Sequence, residues 1–156
     1  MPNDKYKYKH IKIDFVSLKV KQFFQDFCQQ VIKIEPSIRF IGISDGHGRI
    51  LAMAERPGLE PLLNQQETEQ YAITAATRLY TRIRWQHILG KISYTCSHYD
   101  RLLRSTIPIT DDDNHLLYFL IFTFDVTTEN FHEIITQKII PLVDKNLENF
   151  FSLSEG

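Results

Sequence analysis

Cys96 and His98 lie two residues apart in a β-patterned run, and His115 follows Asp111, Asp112 and Asp113 in the next turn. A spacing of two puts both side chains on one face of a strand. Thiol, imidazole and carboxylate are the materials of a nucleophile with its base, or of a zinc site. Neither chemistry is completed by the pattern. A nucleophile needs an orienting third group and an oxyanion hole, which nothing here identifies. Zinc needs three or four converging ligands, and no Cys-x-x-Cys or His-x-x-x-His spacing occurs. The aspartates lack the alternation and closing Glu of a calcium loop. We therefore expect no catalytic residue, no metal and no cofactor. Cys28 and Cys96 are expected to pack as small apolar side chains, with no disulfide framework.

Two further clusters invite a chemical reading. Asp45-Gly46-His47-Gly48 has the glycines of a phosphate loop. It lacks Gly-x-x-x-x-Gly-Lys, however, and leads back into a strand rather than into a helix, so a tight hairpin with positive φ is expected. Lys5, Lys7, Lys9, His10 and Lys12 interleave with Tyr6 and Tyr8. Such an arm offers phosphate contacts and stacking rings, with Arg78, Arg82 and Arg84, and after them Arg101 and Arg104, as an extension. Against nucleic acid stand a net charge of −1 and the absence of a nucleic-acid module. A solvated arm over residues 1–13 is the favoured expectation.

The chain has 156 residues, 43% hydrophobic and 24% charged, enough for one domain with a real core. Charge is uneven: residues 1–104 carry 16 Lys/Arg against 10 Asp/Glu, and residues 105–156 carry 2 against 9. No signal peptide is recognised, and no apolar run approaches the roughly 20 residues that span a bilayer. The expectation is a cytoplasmic protein with no membrane partner.

The elements that must position these residues follow from the hydrophobic period. From Asp14, a plausible N-cap, Val16, Val20, Phe23, Phe24, Phe27, Val31 and Ile34 share one helical face, and Pro36 ends it. Ile38–Ser44 and Arg49–Ala54 read as the hairpin strands, and Glu55–Pro61 as a loop. Asn64 to about Ile88 reads as a helix whose buried stripe is Ala72, Ala75, Ala76, Leu79 and Ile83. Gly90 ends it. Lys91–Ser97, Arg101–Thr110 and His115–Asp125 read as three strands, the last almost continuously apolar and so covered on both faces. Thr127 or Thr128 would cap a final helix, in which Pro141 forces a kink or break. The expectation is an α+β fold in the order α-β-β-α-β-β-β-α, one domain over residues 14–156 with an antiparallel sheet of about five strands flanked by helices.

That order, and above all the hairpin Ile-Gly-Ile-Ser-Asp-Gly-His-Gly-Arg-Ile-Leu-Ala at Ile41–Ala52, resembles the roadblock / dynein light-chain family, a branch of the profilin-like fold. The resemblance runs from about Asp14 to Phe151. The basic arm and the extended first and last helices depart from compact members and bear on their usual dimer surface, which a terminal helix could cover. The resemblance implies function through assembly: dimers formed by the second helix and an adjacent strand, acting as scaffolds or regulators of small GTPases. Carried over by position, the dimer surface comprises Tyr71, Thr74, Arg78, Arg82, Trp85 and part of Lys91–Ser97. Independently, Tyr71, Arg78, Arg82 and Trp85 form a stripe displaced from the alanines, and these residue types are the usual interface anchors. The bland reading has Trp85 closing one end of the core and the arginines solvated.

The leading expectation is thus a non-enzymatic homodimeric interaction module with a protein partner such as a small GTPase. Two alternatives stand beside it. A PAS- or GAF-like small-molecule sensor would line its pocket with Tyr94, His115, Tyr118 and Phe122. A nucleic-acid-associated protein would use the basic arm.

Overall fold

The structure, a computed structural model, describes residues 4–154, with side chains from Leu18 onward. Helix α1 (Asp4–Ile34) leads into the hairpin β1 (Ile38–Asp45) and β2 (Ile50–Glu55). Then come α2 (Gln65–Ile83), the short α3 (Gln86–Leu89), β3 (Thr95–His98), β4 (Leu102–Thr110) and β5 (Leu116–Asp125). The chain closes with α4 (Phe131–Ile134), one π-helical segment (Ile135–Ile139), α5 (Ile140–Lys145) and α6 (Leu147–Ser154). The five strands form one antiparallel sheet in the order β2-β1-β5-β4-β3. This is the expected α+β architecture, a sheet with helices on both faces.

Alternation along the central strands divides the core. Ile41, Ile43, Leu103, Ile107, Ile109, Leu120, Phe122 and Phe124 meet α1 and the C-terminal helices on one face. Phe40, Phe119 and Ile121 meet α2 on the other. Phe150 of α6 ties the chain's ends together: its ring centroid lies 5.2 Å from Phe23, 5.4 Å from Phe27 and 5.8 Å from Tyr118. Cys28 is packed there, where burial pushes its thiol up to about 12.

Four boundaries differ from the sequence reading. Helix α1 starts at Asp4, so Asp14 lies inside it. Nothing between Pro2 and Pro36 breaks a helix, and lysines are good helix formers. The side chains of Lys5, Lys7, Lys9 and Lys12 lie outside the described residues. Helix α2 begins where expected, capped by Asn64, whose side chain accepts from the Glu67 N–H while Glu67 answers at the Asn64 N–H. It ends at Ile83, and a separate turn, α3, follows. Strand β3 starts at Thr95 rather than Lys91, its pairing ending at Thr95↔Thr106. Continued, that register would set Ser93 against Pro108, which has no N–H to donate. Finally, Thr128 does not cap a helix: its hydroxyl donates to the Asp125 carbonyl, and helix begins at Phe131. The break expected at Pro141 takes the form of the π-helical segment before it, where the Ile140 N–H donates to the Ile135 carbonyl.

Both turns at this end of the sheet are built alike. Asp45 Oδ1 accepts from the N–H of His47 and Arg49 at 2.9 and 3.0 Å. Asp111 Oδ1 accepts from the N–H of Asp113 and His115 at 3.0 and 2.8 Å. The fourth residue of each has positive φ, 88° at Gly48 and 63° at Asn114. The first turn is also wedged: a Cβ on Gly48 would strike the α2 backbone at Ile73, and one on Gly46 the Leu116 carbonyl oxygen. At the sheet's opposite end Asp125 gathers Arg56, at 2.7 and 3.0 Å, and Arg39, at 3.1 Å.

Two stability measurements follow. Gly46→Ala must shift backbone and is expected to cost about 1–3 kcal/mol in chemical denaturation, well above an exposed glycine. Arg56, then Arg39, holds the Asp125 carboxyl below the usual carboxylate range. A lowered folded pKa means that this stabilisation is present at neutral pH and lost as pH falls through the folded value. Asp125→Asn should therefore cost about 1 kcal/mol at pH 7 and remove that part of the acid dependence.

Candidate interaction surface

Helix α2 has two working stripes. The first, Ala72, Ala75, Ala76 and Leu79, is buried and rests on the β1–β5 half of the sheet through Phe40, Phe119 and Ile121. The second carries the sequence-predicted residues and faces the β4–β3 half. Tyr71 and Thr74 are half-buried, and Arg78 and Arg82 are exposed. Trp85 sits between α2 and α3, 56% exposed, so it does not close the core.

Around Tyr71 the side chains are tightly connected. Its hydroxyl lies 3.0 Å from that of Tyr99 in the β3–β4 turn. The guanidinium of Arg104 covers its ring with Cζ 3.4 Å from the centroid. Burial, then the Tyr99 hydrogen bond, raises the Tyr71 pKa. The hydrogen bond from Tyr71 lowers that of Tyr99, with Arg78 and Arg104 adding to the effect. Of the two hydroxyls, that of Tyr99 is the one on which negative charge is better tolerated. Lower on the helix, Arg82, Trp85, Gln86 and Leu89 face Tyr94, Thr95 and Cys96 across a cleft of about 440 Å³.

The sheet edge beside this cleft is open. Strand β3 pairs with β4 alone, so its outer edge carries no strand among the described residues. The other edge strand, β2, is met by α1, from which Gln25 donates to the Met53 carbonyl at 3.1 Å. Ile88 and Leu89 of α3, exposed at 66% and 79%, extend the apolar surface of Trp85.

Other sequence-predicted groups are dispersed. Cys96, expected to be packed, is exposed, because β3 is the outermost strand. Cys96 pairs opposite Ser105, while His115 follows Thr110 at the far end of β4, roughly 15 Å or more away at the rise of a strand. His115 Nδ1 instead lies 3.0 Å from Asp111 Oδ2. The backbone N–H of His115 is first among the groups holding that carboxyl below its usual range. Asp111, Asp113 and His115 come within reach of a common point, but Asp111 is already engaged by the turn. Of the four pocket residues, Tyr118 and Phe122 are core, 5.4 Å from Phe24 and 5.7 Å from Phe124 respectively by ring centroids. Tyr94 bonds His132 Nδ1 at 2.9 Å, and His115 is exposed. Tyr94 packs against the core cluster that contains Tyr118 and Phe122, and His115 is not part of it.

Sequence reasoning passed over Tyr99, Ile88 and Leu89, and counted Arg104 only among the arginines extending a basic surface. Arg104 carried a signal, being the one charge in the run Leu-Leu-Arg-Ser-Thr-Ile-Pro-Ile-Thr of β4.

No family model matches the sequence, and no curated protein matches it. Solved structures match its fold. Myxococcus xanthus MglB is 14% identical over 85% of this chain and 91% of that one, with a TM-score of 0.64. An MglB in a tetrameric arrangement is also 14% identical, over 87% and 90%, at 0.63. A roadblock/LC7 domain from Streptomyces avermitilis is 8% identical over 80% and 97%, at 0.57. The chain has the roadblock/LC7-like fold expected from its hairpin and element order.

The tyrosine pair makes an optical prediction. In an ultraviolet titration Tyr99 should ionise below the ordinary tyrosine value and Tyr71 above it. Tyr71→Phe, which deletes that hydrogen bond, should return Tyr99 toward that value. Indistinguishable titration of the two would contradict the arrangement.

Proposed function

We propose that this chain is a non-enzymatic protein–protein interaction module that self-associates through the second stripe of α2 and the free edge of β3, and that it acts as a scaffold or regulator of a small GTPase. One observation carries the reading: an unpaired strand edge lies beside an exposed surface of Trp85, Ile88 and Leu89, rimmed by Arg78 and Arg82. Aromatic and arginine anchors beside an open edge are what a pairing surface requires. The tetrameric arrangement of one structurally similar protein supports assembly as the mode of action. The GTPase role rests on the roadblock resemblance alone.

Such a surface needs no reacting group. His115 is held by Asp111, away from Cys96. No described helix is long and apolar enough to cross a membrane, and we take the cytoplasm as the place of action.

Sedimentation over a wide concentration range tests the reading. The wild type should be a dimer or higher assembly that resists dilution. Trp85→Ala or Arg82→Glu should weaken association by about 2 kcal/mol, near thirtyfold in Kd, with unchanged thermal unfolding of the monomer. A wild-type monomer at every concentration, or variants of unchanged mass, would overturn it.

A further inference from the structure

Arg104 is unlike the other arginines of the molecule. It is 8% exposed, on a central strand, yet its Nε and Nη1 have no hydrogen-bond partner among the described residues. Arg39 and Arg56 have Asp125; no carboxylate is paired with Arg104 among the described residues. A buried guanidinium with two unpaired nitrogens and no carboxylate beside it is a costly arrangement. It is stabilised when an anion arrives.

A place for that anion lies directly beside it. Arg104 and Tyr71 form part of the wall of a cleft of about 410 Å³, between Leu62 and Leu63 of the loop before α2 and Tyr99, Asp100, Arg101 and Leu102 of the β3–β4 turn. That volume suits a small organic molecule. Three leucines and the Tyr99 ring make the wall apolar, while Asp100 and Arg101 stand exposed in the turn. On the inner side of Leu62 and Leu63 a cavity of about 40 Å³ also touches Arg104, room for a water rather than a ligand.

We propose that the outer cleft binds an organic carboxylate with a flat apolar body, its charge opposite Arg104 and its body against Leu62, Leu63 and Tyr99. The apolar lining selects against inorganic phosphate, which has no surface to bury there. The lone buried guanidinium selects for a single negative charge. The cleft lies within one chain and on the opposite face of the sheet from Tyr118 and Phe122, and it shares Tyr71 with the surface proposed for self-association, so the titration is read beside the sedimentation of the same sample.

Titration of the isotopically labelled full chain with benzoate, followed by amide chemical shifts, is the test. Saturable shifts are expected at Leu62, Leu63, Tyr99, Asp100 and Leu102. Benzyl alcohol, of the same body without the charge, should bind about tenfold or more weakly. Arg104→Gln should weaken benzoate by a similar factor. Leu62→Trp, a change at a half-exposed loop position, fills the cleft with Arg104 intact, so binding should fail even if the first variant does not fold. No saturable shift with benzoate, equal binding of benzyl alcohol, or binding that survives Leu62→Trp would each overturn the proposal. The last would mean general attraction to the basic surface, with Arg104 satisfied by water from the inner cavity.

Discussion

The α2 side of the molecule depends on one constraint: the helix is held by a stripe of small residues. Ala72, Ala75 and Ala76 bring its backbone close to Phe40, Phe119 and Ile121. Close approach narrows what the helix can cover. It shields the β1–β5 half of that face and leaves β4 and β3 beside it. There the alternating side chains include Arg104, Thr106 and Thr110, with Thr106 and Arg104 paired across to Thr95 and Ser97 of β3. A bulkier stripe would lift the helix and widen its footprint, and the polar half-face would be lost. Tyr71, half-buried, and Arg78 and Arg82, exposed, lie toward that half-face because the alanines place them there.

The same close approach explains the hairpin. Gly48 is required twice, for its φ of 88° and because the α2 backbone at Ile73 occupies the space of a side chain. Gly46 is required for space alone, against the Leu116 carbonyl. The β1–β2 turn is thus locked between the second helix and the start of β5. The aspartate that opens it spends its carboxylate on two backbone N–H groups, as Asp111 does in the other turn. Read as chemistry, Asp45 and Asp111 suggest phosphate or metal. As structure they are turn caps, and the position three residues on, Gly48 or Asn114, is the signature that separates the two readings.

Much of this was legible because local signals agreed with the fold. The alanine stripe, Pro36 and the apolar run of β5 each report one element, and each was read correctly. Boundaries failed where the deciding contact is remote. Pro108 shortens β3 from the neighbouring strand, which no inspection of Lys91–Ser97 alone reveals. The N-terminal half of α1 has no core pattern, and its helicity shows only as an absence of breakers. On the candidate surface the stripe of α2 was legible from residue types. Its partners were not: Tyr99 and Arg104 sit 28 and 33 positions beyond Tyr71 and meet it through the β3–β4 turn. Alternation shows that Arg104 shares a face with Thr106, but not that α2 lies over one part of that face and leaves a cleft at the other.

The two sheet edges then decide how the proposed assembly must work. The β2 edge is met by α1, while the β3 edge is open but only four residues long. Brevity is protective, since a short strand is a poor template for indiscriminate pairing. It also limits what pairing contributes: a few ladder hydrogen bonds at about 1 kcal/mol each do not offset the roughly 4–15 kcal/mol lost on association. The remainder has to come from side chains beside the edge. Trp85, Ile88 and Leu89 lie at the junction of α2 and α3, across the cleft from Thr95 and Cys96 of β3. A partner that matches the strand but not this apolar group gains too little to stay bound. One that fits the group without an edge of its own has no means of setting register. Specificity at this surface therefore requires both parts together, and a second copy of the chain is the simplest partner that brings both.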